Sequence, residues 1–398
     1  MFFGKNILIG ITGGIAVYKT AELVREFKKA GASVRVIMTG SATNFVSPLT
    51  FETLSENDVL TDLFPESYSK QTAHIDWARW ADVFLVCPAT LNTIGKIASG
   101  IADNALTTTI MAADIPVIFC PAMNKAMFAN SIYQDNQKKL RQHGYFFVEP
   151  GAGELACGEV GYGRLADNEA IIDAVQQQLF GTNEFTGKRF LITAGPTEES
   201  LDPVRFLTNA SSGKMGFALA EQAKIRGADV VLVSGPVHLK PFSGIEFVPV
   251  RTAEQMQQQV MKRLDNTDVL IMAAAVSDYR PAEYSQNKLK KKDNDASLEL
   301  HKNDDILAKA GQNKGERIHI GFSVETENER ENSLNKLRQK NCDFIVLNNP
   351  THPGAGFRND TNLVTVLDKE GHIEHFPLLT KLIVADKILD KVFQIIHS

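Results

Sequence analysis

An α/β chain of two domains is what this sequence predicts, and three observations carry the expectation. Short apolar runs alternate with helical patterns along the 398 residues, as in a parallel sheet covered by helices on both faces. The segment GKNILIGITGG at residues 4–14 has a counterpart in GKRFLITAGPT at 187–197. Each is an apolar run ending in a glycine turn, which is how many nucleotide-binding α/β units begin. Between the halves lies GTNEFTGKR, residues 181–189, polar with a glycine near each end, and expected to be a linker.

In the first half the expected strands are Ile7–Ile11, Val34–Met38, Val83–Cys87 and Val117–Cys120. A helix over Ala16–Lys29 follows the first, and one over Ala170–Phe180 closes the half. The second half repeats the alternation with strands at Phe190–Thr193, Val230–Val233, Val269–Ala275, Ile318–Phe322 and Phe344–Leu347, and with helices over Met215–Arg226 and Glu327–Lys340. Leu363–Leu367 and Ile373–Phe376 flank DKEG as a hairpin, and an amphipathic helix spans Leu379–Ile396. The motifs of the two halves differ, which argues against simple duplication.

Hydrophobic residues make up 43% and charged residues 22%, the balance of a soluble globular protein. The longest apolar runs are too short for a bilayer and MFFGKN lacks the apolar stretch of a signal peptide, so a cytoplasmic protein without a membrane partner is expected. A net charge of −5 gives no general attraction for nucleic acid. An anionic ligand therefore needs a local patch, and KLKKK at 288–292 is one, or else an ordinary solvated charge run. The four cysteines and nine histidines show no C-x-x-C or H-E-x-x-H spacing, which argues against a zinc site or a disulfide framework and leaves a single reactive thiol open.

Neither half contains G-x-G-x-x-G, yet GITGGIAVYK places Gly13 and Gly14 where backbone amides at a helix start can receive a phosphate. In CPATLNTIGKIASGIADN, residues 87–104, a buried strand runs into Asn92 and Thr93 at a helix start, either donors at the sheet edge or a helix cap. CPAMNKAMFAN, residues 120–130, ends another strand with an amide and two thioethers, Met123 and Met127, which taken alone read sooner as core than as a site. Cys157 lies in GELACGEVGYGRLA, a glycine-rich segment of lid type carrying a thiol. In the second half, TAGPTEESLDPVRFLTNASSGKMG places Met215 after Gly213-Lys214, so the P-loop spacing fails. That Ser/Thr/Asn-rich loop still makes an anion cradle before a helix. MAAAVSDYRP, residues 272–281, follows another strand end and offers Asp278 as an acceptor.

GITGGIAVYK, His74, the P-A-M-N-x-x-M run and ACGExGxGRL together resemble the flavin-dependent cysteine decarboxylases, and the second half resembles the ligase fused to them in bacteria. End to end, the chain resembles the bifunctional phosphopantothenoylcysteine decarboxylase / phosphopantothenate-cysteine ligases of coenzyme A biosynthesis. Phe128 stands where that family usually has tryptophan. The resemblance implies a flavodoxin/Rossmann-like FMN-dependent decarboxylase domain over residues 1–186 and a Rossmann-like CTP-dependent ligase domain over 187–398. It implies FMN at Gly13, Gly14, Ile15, Thr39, Phe45, Ala89, Thr90, Asn92 and Thr93. His74 is then the base for thiol oxidation, Asn124 the carboxylate binder, Met127 a pocket wall and Cys157 the proton donor of the last reduction.

For the ligase the resemblance implies Arg205 and Asn209 at phosphopantothenate and its acyl intermediate. It places CTP at Met272, Ala273, Ala274, Asp278, Lys288, Asp304, Asp305, Ile306, Leu307, Phe322, Lys336 and Lys340. Lys288 opens a loop over the triphosphate, and Lys336 and Lys340, at i,i+4 on an expected helix, can face one phosphate group. A divalent ion, Mg2+ or Mn2+, accompanies CTP, with no dedicated protein ligands assigned. The implied partners are 4'-phosphopantothenate, cysteine and CTP, in a trimer-based homo-oligomer. Two other classes stand against this reading: a nicotinamide dehydrogenase, disfavoured by the missing glycine fingerprint, and a non-catalytic flavin-binding regulator, disfavoured because His74, Asn124, Cys157 and Lys288 are all present.

Overall fold

A computed structural model describes residues 2–64, 72–154, 158, 160–290, 297–324, 329–348 and 359–397. The chain forms two compact units, Met1–Phe180 and Gly181–Ser398.

The first unit carries strands β1 (Asn6–Ile11), β2 (Ser33–Met38), β3 (Val59–Leu60), β4 (Val83–Ala89), β5 (Val117–Pro121) and β6 (Phe146–Phe147) in one parallel sheet, ordered β3-β2-β1-β4-β5-β6. This is a doubly wound order, and its direction reverses between β1 and β4, where ligands of such sheets bind beyond the carboxyl ends of the strands. The strands read as continuous apolar runs because both faces are covered. Ile7, Ile9, Val34, Val36 and Leu85 pack on one side beneath α1 (Val17–Lys29) and α8 (Asn168–Phe180). Leu8, Ile37, Phe84, Val86 and Phe119 pack on the other with α3 (Ala73–Trp80), α4 (Leu91–Ala98), α5 (Ala105–Met111) and α7 (Ser131–Gln142). The short α2 (Pro48–Ser55) and α6 (Lys125–Phe128) lie in connections, and an antiparallel ribbon, β7 (Gly151–Glu154) with β8 (Val160–Arg164), precedes α8.

The second unit repeats the winding with a longer sheet. Strands β9 (Arg189–Ala194), β12 (Asp229–Ser234), β13 (Glu246–Pro249), β14 (Val269–Met272), β17 (Ile318–Val324), β18 (Phe344–Asn348), β20 (Val364–Asp368) and β21 (Ile373–His375) run in the order β13-β12-β9-β14-β17-β18-β20-β21. The last two are antiparallel, forming the expected hairpin. Helices α9 (Lys214–Ile225) and α13 (Lys381–Ile396) cover one face, and α10 (Ala253–Leu264), α11 (Ile306–Gln312) and α12 (Glu329–Gln339) lie along the chain between the other strands. Three two-stranded ribbons complete it: β10 (Glu198–Ser200) with β11 (Phe206–Thr208), β15 (Tyr279–Pro281) with β16 (Leu300–Lys302), and β19 (Thr361–Asn362) with β22 (Leu379–Thr380).

Residues 181–189 are not a free linker. Phe185 is fully buried and its ring lies 4.9 Å from that of Phe190, while its N–H and that of Thr182 donate to the carbonyls of Arg226 and Ile225. Glu184 pairs with the buried Arg226 at 2.6 Å. One aromatic in a polar segment suffices to fold the stretch into the second unit. The strand expected over Val269–Ala275 also ends early, at Met272, because the following amides turn to other partners described below. Among the described residues no helix is long and apolar enough to cross a membrane.

Candidate active sites

In the first unit, the loops after β1 and β4 are stapled together by a residue the motif reading passed over. The buried Thr12 hydroxyl donates to the Pro88 carbonyl at 2.7 Å and accepts the Thr90 N–H at 2.9 Å. Thr90 then caps α4, its hydroxyl accepting the Thr93 N–H at 3.4 Å, so the helix starts at Leu91 and not at Asn92. Gly13 is fixed by close approach of the neighbouring loop, since an added Cβ would lie 2.4 Å from Ser41 Cβ. β5 ends in Cys-Pro with Ala122 next, where β4 runs through Cys-Pro-Ala, and Asn124 caps α6 by accepting the Ala126 N–H at 2.8 Å. Residues just after both strands, Thr90 and Leu91 after β4 and Ala122 and Met123 after β5, face one crevice.

Between them opens a cavity of about 650 Å³, in the size range of cofactor and small-molecule sites, lined by Gly13, Gly14, Ile15, Thr90, Asn124 and Met127 of the expected residues. Its remaining lining includes Met123, the first of the two thioethers after β5, and Tyr18, Lys19, Gly163 and Arg164, which sequence reasoning did not single out. Burial, and next the charge of Arg164, push Lys19 below the usual lysine range, against the opposing pull of Asp167. The cavity is thus apolar with a cationic side. The ribbon is docked onto it: the Gly163 carbonyl accepts the Met123 N–H at 2.9 Å.

Thr39, Phe45, Ala89, Asn92, Thr93 and His74 do not line this cavity. Thr39 follows β2 at the same sheet edge, and Ala89 is buried at the end of β4. Phe45 is half exposed, Asn92 faces solvent, and Thr93 is buried in the first turn of α4. The Thr39 hydroxyl and His74 Nδ1 are both buried with no hydrogen-bond partner among the described residues. Such orphaned polar atoms need an explanation, and an absent ligand supplies one. Cys157 lies outside the described residues.

The second unit has its own reversal point, between β9 and β14. Here Ala274 N–H donates to Thr193 Oγ1 at 3.2 Å, Ala275 N–H to the Gly195 carbonyl at 2.9 Å and Ser277 N–H to Thr197 Oγ1 at 2.9 Å. These bonds end the strand and form the crevice floor. Asn209 reaches across, its amide donating to the carbonyls of Ala275 and Val276 at 3.1 and 3.2 Å. Met272 is buried, Ala273 and Ala274 are half-buried at the strand end, and Asp278 is exposed. The Asp278 carbonyl accepts the Asn303 N–H at 2.8 Å, which draws Asp304–Leu307 to the same edge.

Asp305 caps α11 through the Ala308 N–H at 3.0 Å, and Ile306 and Leu307 turn inward. Asp304 is exposed and pairs with Lys309 at 2.5 Å. Lys336 donates to Ser323 Oγ at 3.2 Å, beside the half-buried Phe322. Lys340 lies one residue beyond α12 and pairs with Asp305 at 3.0 Å. Arg205 is bound to Asp202 at 2.9 Å and to the Leu289 carbonyl. Lys288 is exposed, and Lys291 and Lys292 lie outside the described residues.

Two family models divide the chain as the fold does. Residues 3–180 match the model described as Flavoprotein, and 185–396 match that of the DNA/pantothenate metabolism flavoprotein C-terminal domain. The protein named coenzyme A biosynthesis bifunctional protein CoaBC from Bacillus subtilis is 46% identical, over 98% of this chain and 97% of its own length. The chain belongs to the CoaBC family. The CoaBC protein of Vibrio cholerae is 42% identical over 99% of this chain and 98% of its own. A protein of an unknown prokaryotic organism, named cysteine/cysteine sulfinic acid decarboxylase, is 41% identical over 88% of this chain and all of its own. CoaBC-named relatives thus span both crevices, one in each unit.

Proposed function

We propose that the chain carries out two consecutive steps of coenzyme A biosynthesis: CTP-dependent ligation of cysteine to 4'-phosphopantothenate in the C-terminal unit, then FMN-dependent decarboxylation of the product to 4'-phosphopantetheine in the N-terminal unit. The observation that carries this reading is the near full-length identity to CoaBC proteins, combined with two separate sheet-edge crevices, one per unit.

The residues at the first crevice fit a flavin mononucleotide. The cavity is apolar, a glycine turn and two cations offer an anion-binding side, and the unpartnered Thr39 hydroxyl waits at the neighbouring loop. When bound, FMN supplies the two-electron oxidation of the substrate's thiol carbon and the later return of those electrons. Asn124 and Met127 line the substrate side, where the amide suits a carboxylate. Cys157 is assigned the final proton and His74 the proton of the substrate thiol. His74 does not line the cavity of its own chain, which supports a homo-oligomer, built on trimers, in which one copy's histidine completes the cavity of another.

In the ligase, the carboxylate of 4'-phosphopantothenate displaces pyrophosphate from CTP, and the amine of cysteine then displaces CMP from the acyl-cytidylate. A divalent ion, Mg2+ or Mn2+, travels with the CTP phosphates. Lys288 supplies fixed positive charge as negative charge develops. Anaerobic titration of the yellow protein with 4'-phosphopantothenoylcysteine tests the flavin assignment. Bleaching of the flavin band in the wild type and its absence in His74→Asn are expected; equal bleaching in both removes His74 from the chemistry.

A further inference from the structure

The start of the lysine run is fastened by a buried carboxylate. Asp202 lies between β10 and β11 with its side chain out of solvent. Its Oδ1 accepts the N–H groups of Val204 and Arg205 at 2.8 Å each, closing a local turn. Its Oδ2 accepts Arg205 Nε at 3.0 Å and, from 87 residues along the chain, the Leu289 N–H at 3.1 Å. The Arg205 guanidinium then donates to the Leu289 carbonyl. The peptide units on both sides of Leu289 are therefore held by one Asp-Arg pair. A second fastening precedes it, where the Ser285 N–H donates to the Leu201 carbonyl at 3.0 Å.

Lys288 lies between these fastenings, and its ammonium has no ion-pair partner among the described residues. Closing the local turn needs only the Val204 and Arg205 amides; the bond to Leu289 is extra. A buried carboxylate is costly unless every lone pair is used. Here burial alone would raise the pKa, yet the three N–H donors and Arg205 hold it down at about 2, so the carboxylate stays charged at working pH. Pinning the peptide after Lys288 limits the positions its backbone can take, the preorganisation that a charge acting in a transition state requires.

We propose that Asp202, through its bonds to Leu289 and Arg205, is the residue that positions Lys288 for ligation. This rests on the ligase role of Lys288 given above. The test uses the full chain with Asp202→Asn, Lys288→Gln and the double variant, all read by CTP-dependent ligation, and compares wild type with Asp202→Asn by tryptic cleavage at the Lys288–Leu289 bond, which the Lys288→Gln chains lack. Asp202→Asn is expected to speed cleavage at that bond and to lower ligation kcat about 10- to 100-fold with little change in the KM for CTP. Decarboxylation stays normal. In the Lys288→Gln background, adding Asp202→Asn should change ligation by less than about twofold, because both act through one group.

Equal losses in the two backgrounds, or unchanged cleavage, overturn the proposal. Normal ligation by Lys288→Gln refutes the role of Lys288 itself, and the cleavage rate then reports the clamp alone. If Asp202→Asn does not fold, Arg205→Gln removes the bond to the Leu289 carbonyl while leaving Asp202 its N–H donors. It should speed cleavage to a smaller degree, and unchanged cleavage there also counts against the clamp.

Discussion

Replacing Gly163 by alanine should disable the decarboxylase while sparing the ligase. Gly163 adopts φ +130° in β8, a conformation that side chains of L-residues rarely tolerate. An added Cβ would lie 2.2 Å from the carbonyl oxygen of Met123, a backbone atom that cannot swing aside. Strain of this kind costs on the order of 1–3 kcal/mol. The cheapest relief is to undock the ribbon from the Met123 loop, losing the bond from the Met123 N–H to the Gly163 carbonyl. A cost of that size lowers the docked-to-undocked ratio about 5- to 150-fold. Since Gly163, Asn124 and Met127 share one cavity, decarboxylation should fall by up to that factor. Gly161→Ala is the control: its Cβ would meet carbons of the Lys125 side chain at 3.1 and 3.2 Å, which can shift, and its backbone is unstrained. The assay measures conversion of 4'-phosphopantothenoylcysteine, with CTP-dependent ligation by the same preparation as internal reference. Wild-type decarboxylation by Gly163→Ala, or equal losses in the two variants, would refute the reasoning.

Two further outcomes follow from two histidines and one from the seam. Burial, then the charge of Lys314, push the fully buried His319 down to about 4 from 6.5. The unfolded chain therefore takes up the proton first as pH falls, so stability is lost between about 6.5 and 4 and unaffected above. The full loss is about 3 kcal/mol, and denaturant titrations of the C-terminal unit's transition against pH should show it in the wild type and not in His319→Gln; parallel pH profiles would exclude it. If His74 serves another copy's cavity, co-assembled His74→Asn and Asn124→Asp chains should regain decarboxylation that neither variant has alone, whereas continued inactivity of the mixture places both residues in one copy's site. Phe185→Ala should destabilise the C-terminal unit by about 3–5 kcal/mol while leaving flavin binding intact, as measured by unfolding and by flavin absorbance; no loss would return 181–189 to the status of a linker.

The central strands were legible because burial on both faces writes itself as unbroken apolar runs, as in Ile7–Ile11 and Val230–Val233. The ribbons were not: Gly151–Glu154 is half glycine and Leu300–Lys302 is exposed, so neither carries an alternation to read. The seam misled because eight of its residues are polar or glycine and the ninth, Phe185, decides where it packs. At the sites, contiguous motifs such as Gly13-Gly14 and Ala122–Met127 declared themselves, since neighbouring residues share a turn. Long-range fastenings gave no local signal. The Thr12 bonds to the loop after β4 and the Asp202 bond to Leu289 join segments far apart in sequence, and only the folded sheet brings them together.

The most direct measurement supplies the purified full chain with 4'-phosphopantothenate, cysteine and CTP under magnesium, and follows products by mass spectrometry with CTP withheld in a parallel reaction. The expected result is 4'-phosphopantetheine with CMP and pyrophosphate when CTP is present, and 4'-phosphopantothenoylcysteine accumulating when the first oxidation is blocked by His74→Asn. Decarboxylation of free cysteine without CTP, and no ligated product in either reaction, would contradict the two-step account.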